Sequence, residues 1–140
     1  MTLDPRRARA LLKVVEDQTR LLRGLAVMSA EDLLGDPYRV AAAKYLFVVA
    51  IEASIDASRH VATSAGLRGA TDFADSFVVL GEAGMLEAAL VNRLKSMAGF
   101  RNLLVHGYAQ VNDARVVEIL QTQLDDLEEF SRSLARAITG

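Results

Sequence analysis

From Val40 to Ile55 the chain is apolar almost all the way round a helix axis, interrupted chiefly by Lys44 and Glu52. A helix of that kind has to be packed by neighbours on several sides, which constrains the fold more than any other segment does. Its ends are marked. Asp36-Pro37 precedes it, where aspartate can cap a helix and proline fits the first turn, and Gly66 follows as a terminator. A long helix is therefore expected from Pro37 to about Ala65. The strongly apolar run within it, Tyr45 to Ile51, is far shorter than the ~20 residues a membrane span requires, so no membrane is expected and the covering neighbours must come from elsewhere in the protein.

The rest of the chain supplies them. Asp4-Pro5 marks a first helix running to about residue 27, with Leu11, Val15, Leu22 and Leu25 near one face. Ser29 and Asp32 suit a short helical turn ending at Gly35. Thr71 or Asp72 opens a shorter helix through Phe73, Phe77 and Leu80, closed by Gly81 and Gly84. A further long helix is expected from about Leu86 to His106, stopped by Gly107. Asn112 or Asp113 then caps a last helix, in which Val117, Leu120, Leu124, Leu127, Leu134 and Ile138 follow a three-four spacing with Ser131 as the one polar member. Strand alternation, fixed-period repeats and low-complexity stretches are all absent. The expected fold is all-α, an antiparallel four-helix bundle with an additional short helix, in one domain spanning 1–140.

A chain of 140 residues, 51% of them hydrophobic, can bury a core without staples. It has no cysteine, which excludes disulfides, thiolate metal sites and thiol nucleophiles. The start, Met1 to Arg7, lacks the apolar core and cleavage site of a signal peptide, and a cytoplasmic location is expected. A net charge of −2 argues against a large surface that tracks nucleic-acid phosphates, and no DNA partner is expected. The distribution is less even than the sum. Residues 1–24 hold six basic side chains against three acidic ones, so the first helix could touch RNA or could simply present a solvated face.

One segment carries candidate chemistry. Arg101-Asn102-Leu103-Leu104-Val105-His106-Gly107-Tyr108 places a permanent cation, a proton-exchanging imidazole and a phenol within eight residues of a helix end. Asn102 and His106 are four apart on one helix face, so the amide could hold the imidazole in one tautomer. Arg101 and His106 are five apart, about 140° around the axis. The arginine must reach round, or the helix distort, or the working partner belong to another subunit. Alternatively Arg101 and Asn102 cap the helix, His106 meets the negative end of its dipole and Tyr108 packs over the junction. Glu52, Asp56 and His60 form a polar stripe on the long apolar helix. Too few further ligands exist for a metal site, and the stripe is expected either to line the pocket and orient His106 or the substrate, or to be solvated or hydrogen-bonded between helices. Phosphate-binding glycine loops, Gly-x-Ser-x-Gly and His-Glu-x-x-His are absent.

The Arg-x4-His-x-Tyr pattern resembles that of the HEPN superfamily and, within it, the HepT-like toxins of prokaryotic toxin–antitoxin pairs. The resemblance extends to Gly99-Phe100 before the motif and to Glu52-Ala53-Ser54-Ile55-Asp56, covering roughly residues 37–130. It implies a helical bundle and a metal-independent endoribonuclease toxin of a type VII-like pair, with no cofactor, acting on RNA. Arg101 would stabilise phosphate charge and His106 would act as acid or base, supported by Asn102, Glu52 and Asp56. One histidine cannot comfortably hold both proton-transfer roles on opposite sides of a phosphate, and a homodimer would supply the second. The resemblance further implies an MNT-type nucleotidyltransferase antitoxin as partner, which transfers AMP from ATP onto the motif tyrosine, here Tyr108. Two other readings stay open: a non-catalytic HEPN module that serves as interaction scaffold or modification target, and a bundle whose polar residues are structural.

Overall fold

The computed structural model describes residues 4–139; Met1 to Leu3, part of the stretch read for a leader, lie outside them. The described chain is helical, without strands: α1 Pro5–Ala26, α2 Ala30–Leu34, α3 Pro37–Ser64, α4 Phe73–Glu82, α5 Ala88–His106, a 3-10 turn Tyr108–Gln110, α6 Asp113–Thr122 and α7 Leu124–Thr139. None of the described helices is long and apolar enough to cross a membrane.

The punctuation of the sequence acts as expected. Asp4, Ser29, Asp36, Asp72 and Asn112 each accept hydrogen bonds from backbone N–H groups of the following first turn. At the end of α3 the chain turns through Gly66 at φ +72°, and the N–H of Leu67 reaches back to the Ala62 carbonyl at 2.9 Å, a six-to-one closure that only a left-handed residue permits. Gly84 closes α4 in the same way; Gly81, expected to share that role, lies inside the helix.

α3 is the hub, packed on α1, α4, α5, α6 and α7. Phe47 meets Phe100 of α5 edge to face at 5.2 Å between ring centroids, and Phe77 of α4 meets Phe130 of α7 at 5.7 Å. Ile51, Ile55, Leu94 and Met97 belong to the same core, each no more than 2% exposed. The enclosure of α3 is incomplete, however. Tyr38, Ala41, Ala42 and Tyr45, spaced three and four apart, form an exposed apolar stripe, with the two tyrosines 87% and 68% accessible.

The last helix differs from its expectation. The three-four pattern predicts one helix, whereas Gln123 (φ −124°, ψ 8°) separates α6 from α7. The break lets α6 lie against α2, tied there by Gln121 Nε2 donating to the Met28 carbonyl, while α7 packs along α1. Leu120 and Leu124 are both buried across it, so the apolar period continues through the break and cannot reveal it.

Between α3 and α4, Arg68 grips two carboxylates. Its Nη1 and Nη2 donate to Asp75 at 2.7 and 2.9 Å, and its Nε and Nη2 to Glu82 at 2.8 and 3.0 Å. This Arg68 fork, with the Thr71 N–H, holds the Asp75 carboxyl well below the usual carboxylate range. In the unfolded chain that group titrates near pH 4, so its stabilising contribution is complete above about pH 4 and is lost as pH falls toward the depressed folded value. Asp75→Asn should therefore lower the melting temperature at pH 7, with the gap to the parent protein closing below about pH 4. Melting curves at stepped pH check this; a gap that persists unchanged at pH 3 would contradict it.

Candidate active site

The end of α5 presents Arg101 inward and His106 outward. Arg101 is 9% exposed, on the helix face shared with Met97, Ala98 and Leu104. Its Nε and Nη2 donate to one oxygen of Glu52 on α3, at 3.1 and 2.6 Å, and its Nη1 donates to Asn102 Oδ1 at 3.1 Å. The guanidinium carbon lies 4.8 Å from the ring centroid of Phe73, the first residue of α4. Three helices thus fix one cation. A buried charge demands a counter-charge and an aromatic face attracts a cation, so both neighbours are what burial of an arginine requires. The Glu52 side chain is 44% exposed, placing the pair at the boundary between core and solvent.

The sequence-predicted residues divide into those the structure joins and those it separates. Arg101, Glu52 and Asn102 form one hydrogen-bonded unit. Asn102 does not hold His106: its carbonyl oxygen accepts a charge-assisted bond from Arg101, and no side-chain hydrogen bond joins it to His106 among the described residues. The His106 side chain is exposed and makes no hydrogen bond among the described residues. Glu52 orients Arg101, not His106. Asp56 is exposed and forms no ion pair among the described residues; His60 is partly buried with its Nε2 unpartnered. No group of three or more described His, Cys, Asp or Glu side chains is placed to hold a metal ion.

α5 remains a regular α-helix through His106, so the five-residue separation is not removed by distortion, and Arg101 points to Glu52 instead of reaching round. Neither Arg101 nor Asn102 bonds the terminal carbonyls; the Gly107 N–H closes the helix onto Leu103 O at 2.8 Å. A side chain at Gly107 would put its Cβ 3.2 Å from that carbonyl, which is why glycine suits the stop although its φ of −107° is ordinary. Tyr108 follows in the 3-10 turn, 75% exposed, as its position beyond the helix predicts.

Sequence reasoning missed Phe73 and Arg59. The Arg59 guanidinium carbon lies 5.0 Å from the same Phe73 centroid that Arg101 approaches. Arg59 stands seven residues after Glu52, so helical spacing puts it on the Glu52–Asp56 face of α3, but no spacing points to Phe73, because the loop from Gly66 to Asp72 that brings Phe73 to α3 and α5 has no periodic pattern.

Comparison with known proteins bears on this arrangement. Residues 15–134 match the sequence model of the family described as Ribonuclease HepT-like. An mRNA nuclease HepT from Shewanella oneidensis is 35% identical over 79 residues, 56% of this chain and 59% of that protein, so the match spans under two thirds of its length. Among solved structures, a tri-AMPylated Shewanella oneidensis HEPN toxin in complex with MNT antitoxin superposes with TM-score 0.85 at 22% identity, covering 93% of this chain and 97% of that one. The cytosolic protein of unknown function YutE from Bacillus subtilis superposes with TM-score 0.85 at 15% identity, covering 98% and 92%. At those identities the structures establish a shared fold. With the helix order, the Arg-x4-His-x-Tyr motif and a sequence match across residues 15–134, the chain belongs to the Ribonuclease HepT-like family.

Proposed function

We propose that this chain, acting as one HepT-like domain, is a metal-independent endoribonuclease and the toxin of a type VII-like toxin–antitoxin pair. The observation that carries the reading is the Arg101 unit: a guanidinium fixed by Glu52, Asn102 and Phe73 on the helix that ends in an unpaired, exposed His106. Of the five N–H groups of Arg101, three are engaged, leaving one on each terminal nitrogen for a phosphate oxygen. In the reaction a base takes the proton of a ribose 2′-hydroxyl, the oxygen attacks the adjacent phosphorus, and an acid protonates the departing 5′-oxygen. Arg101 stabilises the charge that builds on the phosphate, and His106 moves a proton. The nuclease relative and the AMPylated toxin neighbour support this reading.

Each chain offers this site one exposed imidazole, and within a chain His106 and Arg101 diverge. A homodimer answers both facts. The apolar stripe Tyr38, Ala41, Ala42 and Tyr45 continues along the same face of α3 to Glu52 and Asp56, so a second copy seated there would bring two motifs together. His106→Ala and Arg101→Ala should each abolish RNA cleavage and cellular toxicity while preserving helical content and dimerisation. A mixture of the two variants should regain activity where each site draws on both chains. EDTA should leave cleavage unchanged; loss with EDTA and recovery with a divalent ion would refute the mechanism, as would undiminished cleavage by both variants.

The burial of Arg101 favours a second reading, in which the Arg101–Glu52 pair only clamps α5 to α3 in a non-catalytic module. Glu52→Ala separates the two. Loss of positioning should reduce cleavage by about a hundredfold. Because the carboxylate is partly solvated, stability should fall by only about 1 kcal/mol. A pure clamp would instead show destabilisation in a protein that never cleaved RNA.

Tyr108 is the proposed acceptor for an MNT-type nucleotidyltransferase antitoxin: its phenolic oxygen attacks the α-phosphorus of ATP and pyrophosphate departs. AMP there would set a bulky anion beside the phosphate site and exclude RNA by charge and volume. Tyr108→Phe should keep much of its cleavage activity and escape neutralisation. Mass spectrometry of the co-expressed pair should find one or more AMP units on the Tyr108 peptide; an unmodified Tyr108 in a fully neutralised complex would overturn the assignment.

A further inference from the structure

Arg59 stands on α3 seven residues beyond Glu52, on the same side of the helix. Its guanidinium and that of Arg101 lie 5.0 and 4.8 Å from the centre of one ring, so the two cations are within about 10 Å of each other. Their neutralisation differs. Arg101 has Glu52, whereas Arg59 has no carboxylate within ion-pair distance among the described residues, and Asp56, one turn before it, forms no ion pair with it. Arg59 is nevertheless held in place. Its Nε donates to Ser76 Oγ at 3.1 Å, Ser76 is buried, and that hydroxyl lies 3.3 Å from the Asp72 carbonyl oxygen. Both terminal nitrogens make no hydrogen bond among the described residues, so an exposed guanidinium on a fixed stem keeps its terminal N–H groups free. Arg59 lines a cleft of about 180 Å³ between α3 and α4, walled also by Thr63, Arg68, Gly69 and Ser76, with no acidic side chain in its lining.

We propose that Arg59 binds the RNA phosphate neighbouring the one at Arg101, with Phe73 as the spacer between the two contacts and the Arg59 cleft receiving the strand as it leaves the reaction site. Two guanidinium charges sharing one ring with a single carboxylate leave one positive charge uncompensated, and a second phosphate is the group that compensates it. The guanidinium fork suits phosphate better than a point charge would. The nature of the strand rests on the ribonuclease reading above; the contact itself is tested without cleavage.

The test is binding of a fluorescent, uncleavable 2′-O-methyl oligoribonucleotide to the full chain, by anisotropy over a series of salt concentrations, for the parent protein, Arg59→Gln and Arg59→Lys. Losing one exposed phosphate contact should weaken binding roughly fivefold. The slope of log affinity against log salt should become shallower by about 0.7 for Arg59→Gln, and Arg59→Lys should restore the slope while binding less tightly than the parent. Cleavage of an all-ribose oligonucleotide, followed in parallel, should show a higher KM with kcat retained. Unchanged affinity in Arg59→Gln overturns the proposal, as does weaker binding with an unchanged salt slope, or absence of binding by the parent protein. A parent protein that cleaves RNA, inactivated by Arg101→Ala but indifferent to Arg59→Gln, would remove the Arg59 contact and leave the ribonuclease reading standing.

Discussion

A guanidinium inside an apolar bundle is the constraint around which this molecule is arranged. A charge buried to that degree calls for compensation, and the bundle meets that demand with one partly solvated carboxylate from α3 and one ring from the start of α4. The solution has geometric consequences. Glu52, 49 residues away in sequence, meets Arg101 only at one rotation of α3 about its own axis, the rotation the core packing also requires. Ile51 and Ile55 then turn into the core, and Tyr45 and Tyr38, on the face that continues from Glu52, turn to solvent. The same rotation places Arg59 against the other occupant of the Phe73 ring.

Charge in this protein is organised locally, and the net value of −2 describes none of it. The basic character of the first helix is partly cancelled by its own surroundings: Lys13 and Arg20 pair with Asp17, and Arg23 pairs with Asp125 and Glu128 of α7, which hold it strongly protonated. Arg68 is likewise saturated by Asp75 and Glu82, and Arg93 by Asp126 and Glu129. These arginines join helices or brace loops. Arg59 also bridges two helices, through Ser76 and Phe73, yet keeps its charge uncompensated. A chain of low net charge can therefore still offer a small cationic site, which suits recognition of a few phosphates better than tracking of a long strand.

The sequence by itself determined the helical class, the order of the long helices and most of their ends, because these depend on local chemistry. Aspartates at Asp4, Asp36 and Asp72 satisfy backbone donors within their own first turn, and Gly66 and Gly84 take a conformation that other residues adopt only under strain. The motif from Arg101 to Tyr108 was visible for the same reason, as was the accessibility of Tyr108 beyond Gly107. Tertiary structure decided what local pattern leaves open. The break at Gln123 is invisible to a period that runs through it; Asn102 bonds the neighbouring Arg101 and not His106, a choice that helical spacing does not contain. The pairing of Arg101 with Glu52, and the meeting of Arg59, Phe73 and Arg101, join residues that no spacing relates, since the loop between α3 and α4 and the rotation of each helix are set only when the core closes.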